Sequence, residues 1–233
     1  MNKFDSFVTY LVLPYYWIRS QYLRKFGKQE TINKEMKRYP NDYFGFRKIK
    51  VVAHGTQVNP NQKAIFVSNH QSRNDIFVTL SAINRPFRFI AKKELFTNPI
   101  TGTFMKMSQS YPLDREDPRK SLTLLKQAVK DVKTGASVLV FPEGTRSYQK
   151  DMLEFKDGLF SMLRKADAPI VVLYIKESYN EKQDTIHVYM SEPIQPETYN
   201  KLKGVELSKL TFDIMNELKE KAYAKVNRKP YVY

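Results

Sequence analysis

His70 and Asp75 stand where an apolar strand is predicted to end and a helix to begin. In one continuous helix these two side chains would point about 140° apart, so their pairing needs His70 in the turn and Asp75 in the first helical turn. The carboxylate could then fix the imidazole tautomer while the other ring nitrogen takes a proton from a hydroxyl. Alternatively, Ser72 and Asp75 form a capping box and His70 is an ordinary loop residue, and these two interpretations are compatible.

The segment 138–147 is an apolar strand that runs into a turn containing Pro142 and Gly144. A tight bend of this kind brings backbone amides close to a ligand, and Arg146 offers a planar fork for a phosphate. Glu143 could accept a hydrogen bond from a substrate hydroxyl or hold a neighbouring side chain. A purely structural turn is the alternative, because Pro-Glu-Gly turns are common.

Two further segments combine basic residues with apolar ones. Arg115, in the segment 111–117, is a second possible phosphate ligand, although a solvated charged loop would have the same composition. Lys92 lies in the segment 91–96, which could contact a phosphate or a membrane, or could simply begin a helix.

Several common catalytic motifs are missing from the sequence. It has no Gly-x-Ser-x-Gly elbow, no Gly-x-Gly-x-x-Gly or P-loop pattern and no His-Glu-x-x-His helix, so these hydrolase, nucleotide and zinc-protease classes lack support. With no cysteine and three histidines, His54, His70 and His187, neither a thiolate nucleophile nor a His-rich metal site is expected. A His–Asp base without a protein nucleophile suits a reaction in which the substrate's own hydroxyl attacks.

The chain is strongly basic, because 39 Lys and Arg residues against 24 Asp and Glu residues give a net charge of +15. This charge predicts an anionic partner such as a phospholipid surface, a phosphorylated substrate or a nucleic acid. Residues 1–50 carry 11 Lys and Arg residues against 4 acids, next to an apolar run at 4–18. That asymmetry favours an anionic membrane, and no nucleic-acid-binding module accompanies the charge.

The apolar run at 4–18 is too short to span a bilayer, which needs roughly 20 apolar residues, and Pro14 is expected to break or kink its helix midway. Tyr15, Tyr16 and Trp17 suit the headgroup boundary, where a ring and a polar edge are both satisfied. We therefore expect a peripheral or monotopic membrane protein on the cytoplasmic face, with a core helix as the alternative interpretation.

From residue 47 onward, short β-rich runs alternate with helical patterns. This alternation predicts an α/β fold with a mixed, mostly parallel central sheet flanked by helices, preceded by an N-terminal helical membrane-docking motif. We expect the N-terminal helices at 1–45 and the α/β domain at 46–233. The expected strands are 47–53, 63–68, 86–91, 137–141, 169–176 and 185–191.

Helices are expected at 19–46, 74–84, 118–134, 157–166 and 206–226, with only loose periodicity in the first of these. In the helix at 118–134, Asp117 can cap the first turn and Gly135 can end the last one. Its expected sheet-facing side consists of Leu122, Leu125, Val129 and Val132.

Three motifs form a recognisable set in their order and spacing: Asn69-His70-x4-Asp75, Pro112-Leu113-Asp114-Arg115 and Phe141-Pro142-Glu143-Gly144-Thr145-Arg146-Ser147. This set resembles the 1-acylglycerol-3-phosphate acyltransferase family. The segments 91–96 and 155–158 also look like family segments, so the resemblance covers roughly residues 50–195.

The resemblance implies that His70 deprotonates the acceptor hydroxyl of 1-acylglycerol 3-phosphate and that Asp75 orients His70. The hydroxyl would then attack the thioester of acyl-CoA or of an acyl carrier protein, without an acyl-enzyme, a metal or a cofactor. The implied substrate-binding residues are Lys92, Arg115, Glu143, Gly144, Thr145 and Arg146. The N-terminal helices would dock at the bilayer so that the lysolipid tail stays in the membrane.

The sequence departs from the family pattern at two positions, because Gln109 stands where the family commonly has Gly and Val172 where it commonly has Pro. These departures leave the acceptor headgroup open. The acyl donor, the preferred chain length and the oligomeric state are also open. The alternatives are an acyltransferase for another lysophospholipid or glycerol derivative and a non-catalytic lipid-binding protein.

Overall fold

The computed structural model describes residues 3–56, 58–59, 61–180 and 182–224, with side chains described from residue 14 onward apart from 99 and 100. Residues 225 and 226, the end of the helix expected at 206–226, lie outside the described residues. The α-helices are α1 Lys3–Phe26, α2 Gln29–Phe46, α3 Asp75–Ala82, α4 Pro99–Met107, α5 Pro118–Lys133, α6 Asp157–Leu163, α7 Pro196–Tyr199 and α8 Gly204–Tyr223. The strands are β1 Lys50–His54, β2 Ile65–Ser68, β3 Arg88–Lys92, β4 Tyr111–Leu113, β5 Val138–Val140, β6 Ile170–Ile175 and β7 Thr185–Met190.

The strands of the described residues form one seven-stranded sheet in the order β1-β7-β6-β2-β5-β3-β4. Neighbouring strands are parallel except for the antiparallel pair β6 and β7, which confirms the expected mixed, mostly parallel sheet. β2 lies between β5 and β6, and Val67 of β2 is in register with Val140 of β5. The segments that follow β2 and β5 therefore leave the same edge of the sheet side by side.

Helices cover both faces of the sheet, which explains why the central strands are nearly continuous apolar runs. On one face Phe66, Leu139 and Leu173 pack in a cluster with residues of α2, α3 and α4. On the other face Val67 and Val140 pack with residues of α5, α6 and α8. Successive side chains of a strand point to opposite faces, so each central strand contributes to both clusters.

The N-terminal helices pack as a pair, with Arg19 of α1 bonded to Glu35 of α2 at 3.0 Å. Of the break or kink expected at Pro14, the break does not occur, because α1 continues through Pro14 from Lys3 to Phe26. Beyond Pro14, α1 bonds to α2 through Arg19 and to α4 through Gln21, whose side chain donates to Thr103 at 2.9 Å, and tertiary contacts of this kind stabilise a helix that lacks one backbone hydrogen bond. Among the helices that the structure describes, none combines the length and apolarity needed to cross a bilayer.

The outer side of α1 carries an apolar stripe. Tyr15, Ile18, Tyr22 and Phe26 are 49%, 62%, 57% and 64% exposed. Their spacing of three and four residues places them on one side of the helix, whereas Tyr16 and Leu23 are buried on the inner side. α1 thus has one face packed on the protein and an apolar face in contact with solvent.

The helix α5 agrees with the sequence expectation except at Leu122, the first residue of the side that was expected to face the sheet. Asp117 accepts hydrogen bonds from the backbone N–H groups of Arg119 and Lys120 at 3.1 and 3.0 Å, which confirms the cap. Gly135 follows the helix with φ +112°. Leu122, which was expected to face the sheet, is instead 43% exposed, because the face centred on Ala128 and Val129 is the one that packs inward.

Candidate active site

His70 and Asp75 form a hydrogen-bonded pair at the carboxyl end of β2. The Nδ1 atom of His70 lies 2.7 Å from Oδ2 of Asp75. The Asp75 side chain is fully buried and that of His70 is 17% exposed. The other imidazole nitrogen, Nε2, has no hydrogen-bond partner within the described ranges, and the ring stacks on Phe141 with centroids 4.2 Å apart. The pair therefore has the geometry of an oriented base with one free nitrogen.

The carboxylate of Asp75 accepts hydrogen bonds from several donors besides His70. The backbone N–H groups of Gln71 and Ser72 bond to Oδ2 at 2.6 and 2.8 Å, and the Ser72 hydroxyl bonds to Oδ1 at 3.2 Å. The hydroxyl of Ser178, which follows β6, donates to Oδ1 as well. These four donors fix the direction in which the Asp75 carboxylate points at His70.

The turn before α3 does not form the expected capping box. Asp75 is the first residue of α3 and its N-cap residue is Asn74, which makes no side-chain cap hydrogen bond. Asp75 accepts the backbone N–H of Ser72, but the Ser72 hydroxyl accepts from the backbone N–H of Asn74 at 3.0 Å, outside the helix. The carboxylate of Asp75 therefore holds the turn and the histidine.

Glu143 connects the second motif to the first. Its Oε1 accepts the backbone N–H of His70 at 2.6 Å and its Oε2 accepts that of Leu153 at 2.8 Å. The backbone N–H of Ser147 donates to the carbonyl of His70 at 2.8 Å. Both polar groups of the His70 backbone are therefore held by the segment that follows β5.

The position of Glu143 differs from the expectation that it contacts substrate. The residue is 2% exposed, and both carboxylate oxygens already accept backbone donors. Burial raises the pKa of this carboxyl to about 7, against the two backbone hydrogen bonds, which lower it. The geometry fits the other sequence interpretation, in which Glu143 holds its neighbours, here through their backbone.

A cavity of about 650 Å³ extends from His70 between the two helical layers. Much of its wall is apolar or aromatic, with contributions from Tyr16 and Trp17 of α1, Tyr39 of α2 and Phe104 of α4. A second part of the wall is cationic and consists of Arg73, Lys92, Arg115, Arg146 and Lys156. No acidic side chain lines the cavity among the residues that the structure describes. The wall suits an amphipathic molecule with an apolar chain and an anionic head.

The residues expected to bind substrate divide into two groups. Lys92, Arg115, Gly144, Thr145 and Arg146 all line the cavity that contains His70. Gly144 has φ +71°, in the left-handed region that favours glycine, so the turn needs this residue type. Glu143 alone among the expected substrate ligands is buried behind the turn.

Comparison with known proteins decides the family. A family model described as acyltransferase matches residues 50–176, more than half of the chain. The chain belongs to the acyltransferase family. Its sequence is 39% identical over 128 residues to a chloroplast 1-acyl-sn-glycerol-3-phosphate acyltransferase of Arabidopsis thaliana, which covers 55% of this chain and 36% of that protein. A Saccharomyces cerevisiae protein of the same name is 32% identical over 172 residues, covering 69% of this chain and 57% of that one.

The chain spans about a third of the length of the first of these relatives. Among solved structures, the 1-acyl-sn-glycerophosphate acyltransferase PlsC from Thermotoga maritima matches with a TM-score of 0.76 over 95% of this chain and 94% of that one. Its sequence identity is 23%, so this likeness concerns the fold, which agrees with the expected α/β class.

Two residues outside the sequence-derived site emerge from the structure of this member of the acyltransferase family. Lys156 lines the cavity, and its backbone N–H bonds to the carbonyl of Pro142 at 2.9 Å. Ser178 lies just beyond the stretch that the family model matches and reaches Asp75 only because β6 adjoins β2. No local sequence signal connects residues 178 and 75, which are 103 positions apart.

The two departures from the family pattern have structural consequences in this chain. Gln109 has φ +53°, a left-handed conformation that glycine adopts without strain. Val172 lies in the buried strand β6, where its backbone N–H donates to the Ser191 hydroxyl at 3.0 Å, a bond that a proline could not make. Neither residue lines the cavity. The departures therefore concern the backbone, and they carry no information on the acceptor headgroup.

Proposed function

We propose that this protein is a 1-acylglycerol-3-phosphate O-acyltransferase. It transfers a fatty acyl group from the thioester of acyl carrier protein or CoA to the sn-2 hydroxyl of 1-acylglycerol 3-phosphate, and the product is phosphatidic acid. The observation that carries this proposal is the His70–Asp75 pair in the wall of a cavity that is apolar in one part and cationic in another. The names of the relatives support the same acceptor.

In the proposed reaction the free Nε2 of His70 takes the proton of the acceptor hydroxyl while Asp75 stabilises the imidazolium. The hydroxyl oxygen attacks the thioester carbonyl, and the C–S bond breaks as the ester C–O bond forms. The imidazolium returns the proton to the departing sulfur, so the base is regenerated. Asp75 is suited to its role because hydrogen bonds hold both of its carboxylate oxygens.

The cationic part of the wall is proposed to bind the phosphate of the acceptor. Arg146 and Arg115 offer guanidinium forks, and Lys92 adds a point charge. Gly144 and Thr145 shape the turn beside them. The apolar part, which includes Trp17 and Phe104, is proposed to hold an acyl chain.

We further propose that the protein is a peripheral or monotopic membrane protein on the cytoplasmic face, docked through α1. The apolar stripe of α1 (Tyr15, Ile18, Tyr22 and Phe26) is exposed, and Trp17 of the same helix lines the cavity. Lysolipid tails in an anionic bilayer would thus lie next to the cavity wall.

The test is transfer of labelled acyl groups from acyl carrier protein and from acyl-CoA to 1-acylglycerol 3-phosphate, with wild type, His70→Ala and His54→Ala. We expect wild type and His54→Ala to form phosphatidic acid and His70→Ala to lose at least about 10²-fold in rate, the scale of a positioned general base. His54 is the matched control because it lies on β1 and does not line the cavity.

The outcomes separate the parts of the proposal. Wild type that forms no phosphatidic acid with either donor would refute the acceptor, and other lysolipids would be tried next. Full activity in His70→Ala would refute the base and would leave the acceptor assignment standing.

A further inference from the structure

A second cavity, a groove of about 900 Å³, lies between α2 and the ends of the sheet where β3 and β5 begin. Arg88 at the start of β3 and Ser137 just before β5 are part of its wall. The groove shares no lining residue with the cavity of His70, which lies at the opposite ends of these strands. It is therefore a separate feature of the described structure.

Arg85 lines this groove in an unusual environment for a cation. The residue is 8% exposed, and its Nη1 donates to the carbonyl of Asn59 at 3.1 Å. Its Nε is buried and has no hydrogen-bond partner among the described residues. Burial lowers the pKa of the guanidinium, and no acidic neighbour acts in the other direction.

A buried guanidinium without a counter-charge lowers the stability of the folded protein. Arginine keeps its charge at any pH at which proteins fold, so Arg85 cannot escape the cost of burial by losing its proton. A buried charge is normally paired with an opposite charge. No carboxylate of the described residues supplies one, so the Arg85 guanidinium is left without a counter-charge.

The rest of the groove wall favours an anion too. Lys37 of α2 is exposed on it and forms no ion pair with the residues described. The other cations of the wall are already paired: Arg38 with Asp42 at 3.3 Å, for example. Two carboxylates also line the groove, and both are paired, Glu30 with Lys34 and Asp42 with Arg38. Amide and hydroxyl side chains that can donate hydrogen bonds form another part of the wall, namely Gln29, Asn33, Asn41, Asn61, Asn84, Ser108, Gln109 and Ser137.

We propose that this groove binds a phosphate group, with the Arg85 guanidinium as its main ligand and Lys37 as a second cation. Phosphate oxygens match the planar fork of a guanidinium, and they would provide the charge that Arg85 lacks. The group could belong to the headgroup of an anionic phospholipid or to a free phosphate. Because α2 also contributes Tyr39 and Tyr43 to the cavity of His70, the bound phosphate would fix a helix that borders both cavities.

The test is the unfolding temperature of the full chain in detergent as inorganic phosphate replaces chloride at constant ionic strength. The variants are Arg85→Met, Arg146→Met, which removes a cation of the other cavity, and Lys126→Met, which removes an exposed cation of α5 on the opposite sheet face. We expect phosphate to raise the unfolding temperature of wild type and of Lys126→Met. In Arg146→Met, which lacks a proposed phosphate ligand of the other cavity, the rise that remains belongs to the groove. Arg85→Met should lose that part of the rise, and without phosphate it should unfold at or above the wild-type temperature.

A wild-type unfolding temperature that does not respond to phosphate, or a rise in Arg85→Met as large as that of wild type, would overturn the proposal. A lower unfolding temperature of Arg85→Met without phosphate would also overturn it, because the guanidinium would then be satisfied within the protein. Vesicles of phosphatidylcholine with or without phosphatidylglycerol distinguish the two sources. Weaker binding of Arg85→Met only to the anionic vesicles identifies a lipid headgroup, and equal binding identifies free phosphate.

Discussion

At the scale of single residues, Asp75 depends on a hydroxyl from a distant part of the chain. Ser178 is 2% exposed, and besides its bond to Asp75 its backbone N–H donates to Oε1 of Gln71 at 3.2 Å. It does not line the cavity, so it can act on the reaction only through the carboxylate. We regard it as a positioning residue.

For Ser178→Ala we expect kcat to fall by about 3- to 10-fold, because one of the hydrogen bonds that orient Asp75 is lost while the others remain. The KM for the lysolipid should stay unchanged, since Ser178 touches no part of the cavity wall. Steady-state kinetics measure both constants. Ser178→Thr keeps a hydroxyl and should recover kcat, and Ser161→Ala, an exposed serine of α6, should match wild type. Unchanged kcat in Ser178→Ala would mean that the local donors alone orient Asp75.

The pKa of Glu143 predicts a pH dependence of stability. The pKa of this carboxyl is about 7 in the folded protein, against an ordinary value of 4.5, which applies to the unfolded chain. Between these two pH values the folded protein therefore retains a proton that the unfolded chain has released. The unfolded state then binds fewer protons, and the contribution of Glu143 to stability decreases as pH rises through this window. Thermal unfolding of wild type and Glu143→Gln from pH 5 to 8 measures it.

Because glutamine does not titrate, the unfolding temperature of wild type minus that of Glu143→Gln should be largest near pH 5 and should shrink toward pH 7. The subtraction cancels the other titrating groups. A difference that stays constant or grows with pH would contradict the raised pKa.

Residue types and spacing predicted the pairing of His70 with Asp75, because both residues lie in one short segment. Five of the six expected substrate ligands line the cavity. The role of Glu143 was left open between substrate and neighbour, since a sequence does not show which carboxylates are buried. Ser178 could not be predicted at all, because its contact depends on β6 lying beside β2.

At the scale of elements, the apolar stripe of α1 gives a testable surface. Replacing Ile18 and Phe26 with Ser should weaken binding to anionic vesicles by at least about tenfold, because each large apolar side chain contributes about 1.5–3 kcal/mol when fully buried. Vesicle co-sedimentation measures the binding. The matched control replaces Leu122 and Val205 with Ser, which are 43% and 61% exposed on the helices of the other sheet face. Equal binding by both double variants would refute docking through α1.

Long periodic elements were predictable, and short ones were not. The helix α5 and six of the strands correspond to sequence expectations, whereas the three-residue strand β4 and the helix α4 were missed. β4 has three residues, Tyr111 to Leu113, and among the described strands it pairs with β3 alone, so it is too short to show an alternation. The left-handed backbone of Gln109 could not be predicted either, because glutamine rarely adopts this conformation and here the turn imposes it.

At the scale of the whole molecule, the fold class followed from the alternation of strands and helices, but the strand order did not. The segments that hold His70 and Glu143 follow β2 and β5, which adjoin in the sheet but are separated by β3 and β4 in the chain. Only the sheet brings the carbonyl of His70 to the backbone N–H of Ser147. The site therefore depends on contacts between residues far apart in the chain.

The central place of β2 also has a consequence for synthesis. Both of its partners, β5 and β6, are made later, so the buried sequence of Ile65–Ser68 leaves the ribosome with two unpaired edges. Such edges pair readily with other chains. A chain truncated at residue 160, which lacks β6, should aggregate when expressed, whereas the full chain stays dispersed in detergent, and sedimentation distinguishes them. Nascent chains of this protein thus need protection until about residue 175 has emerged, well after the histidine of the site has been made.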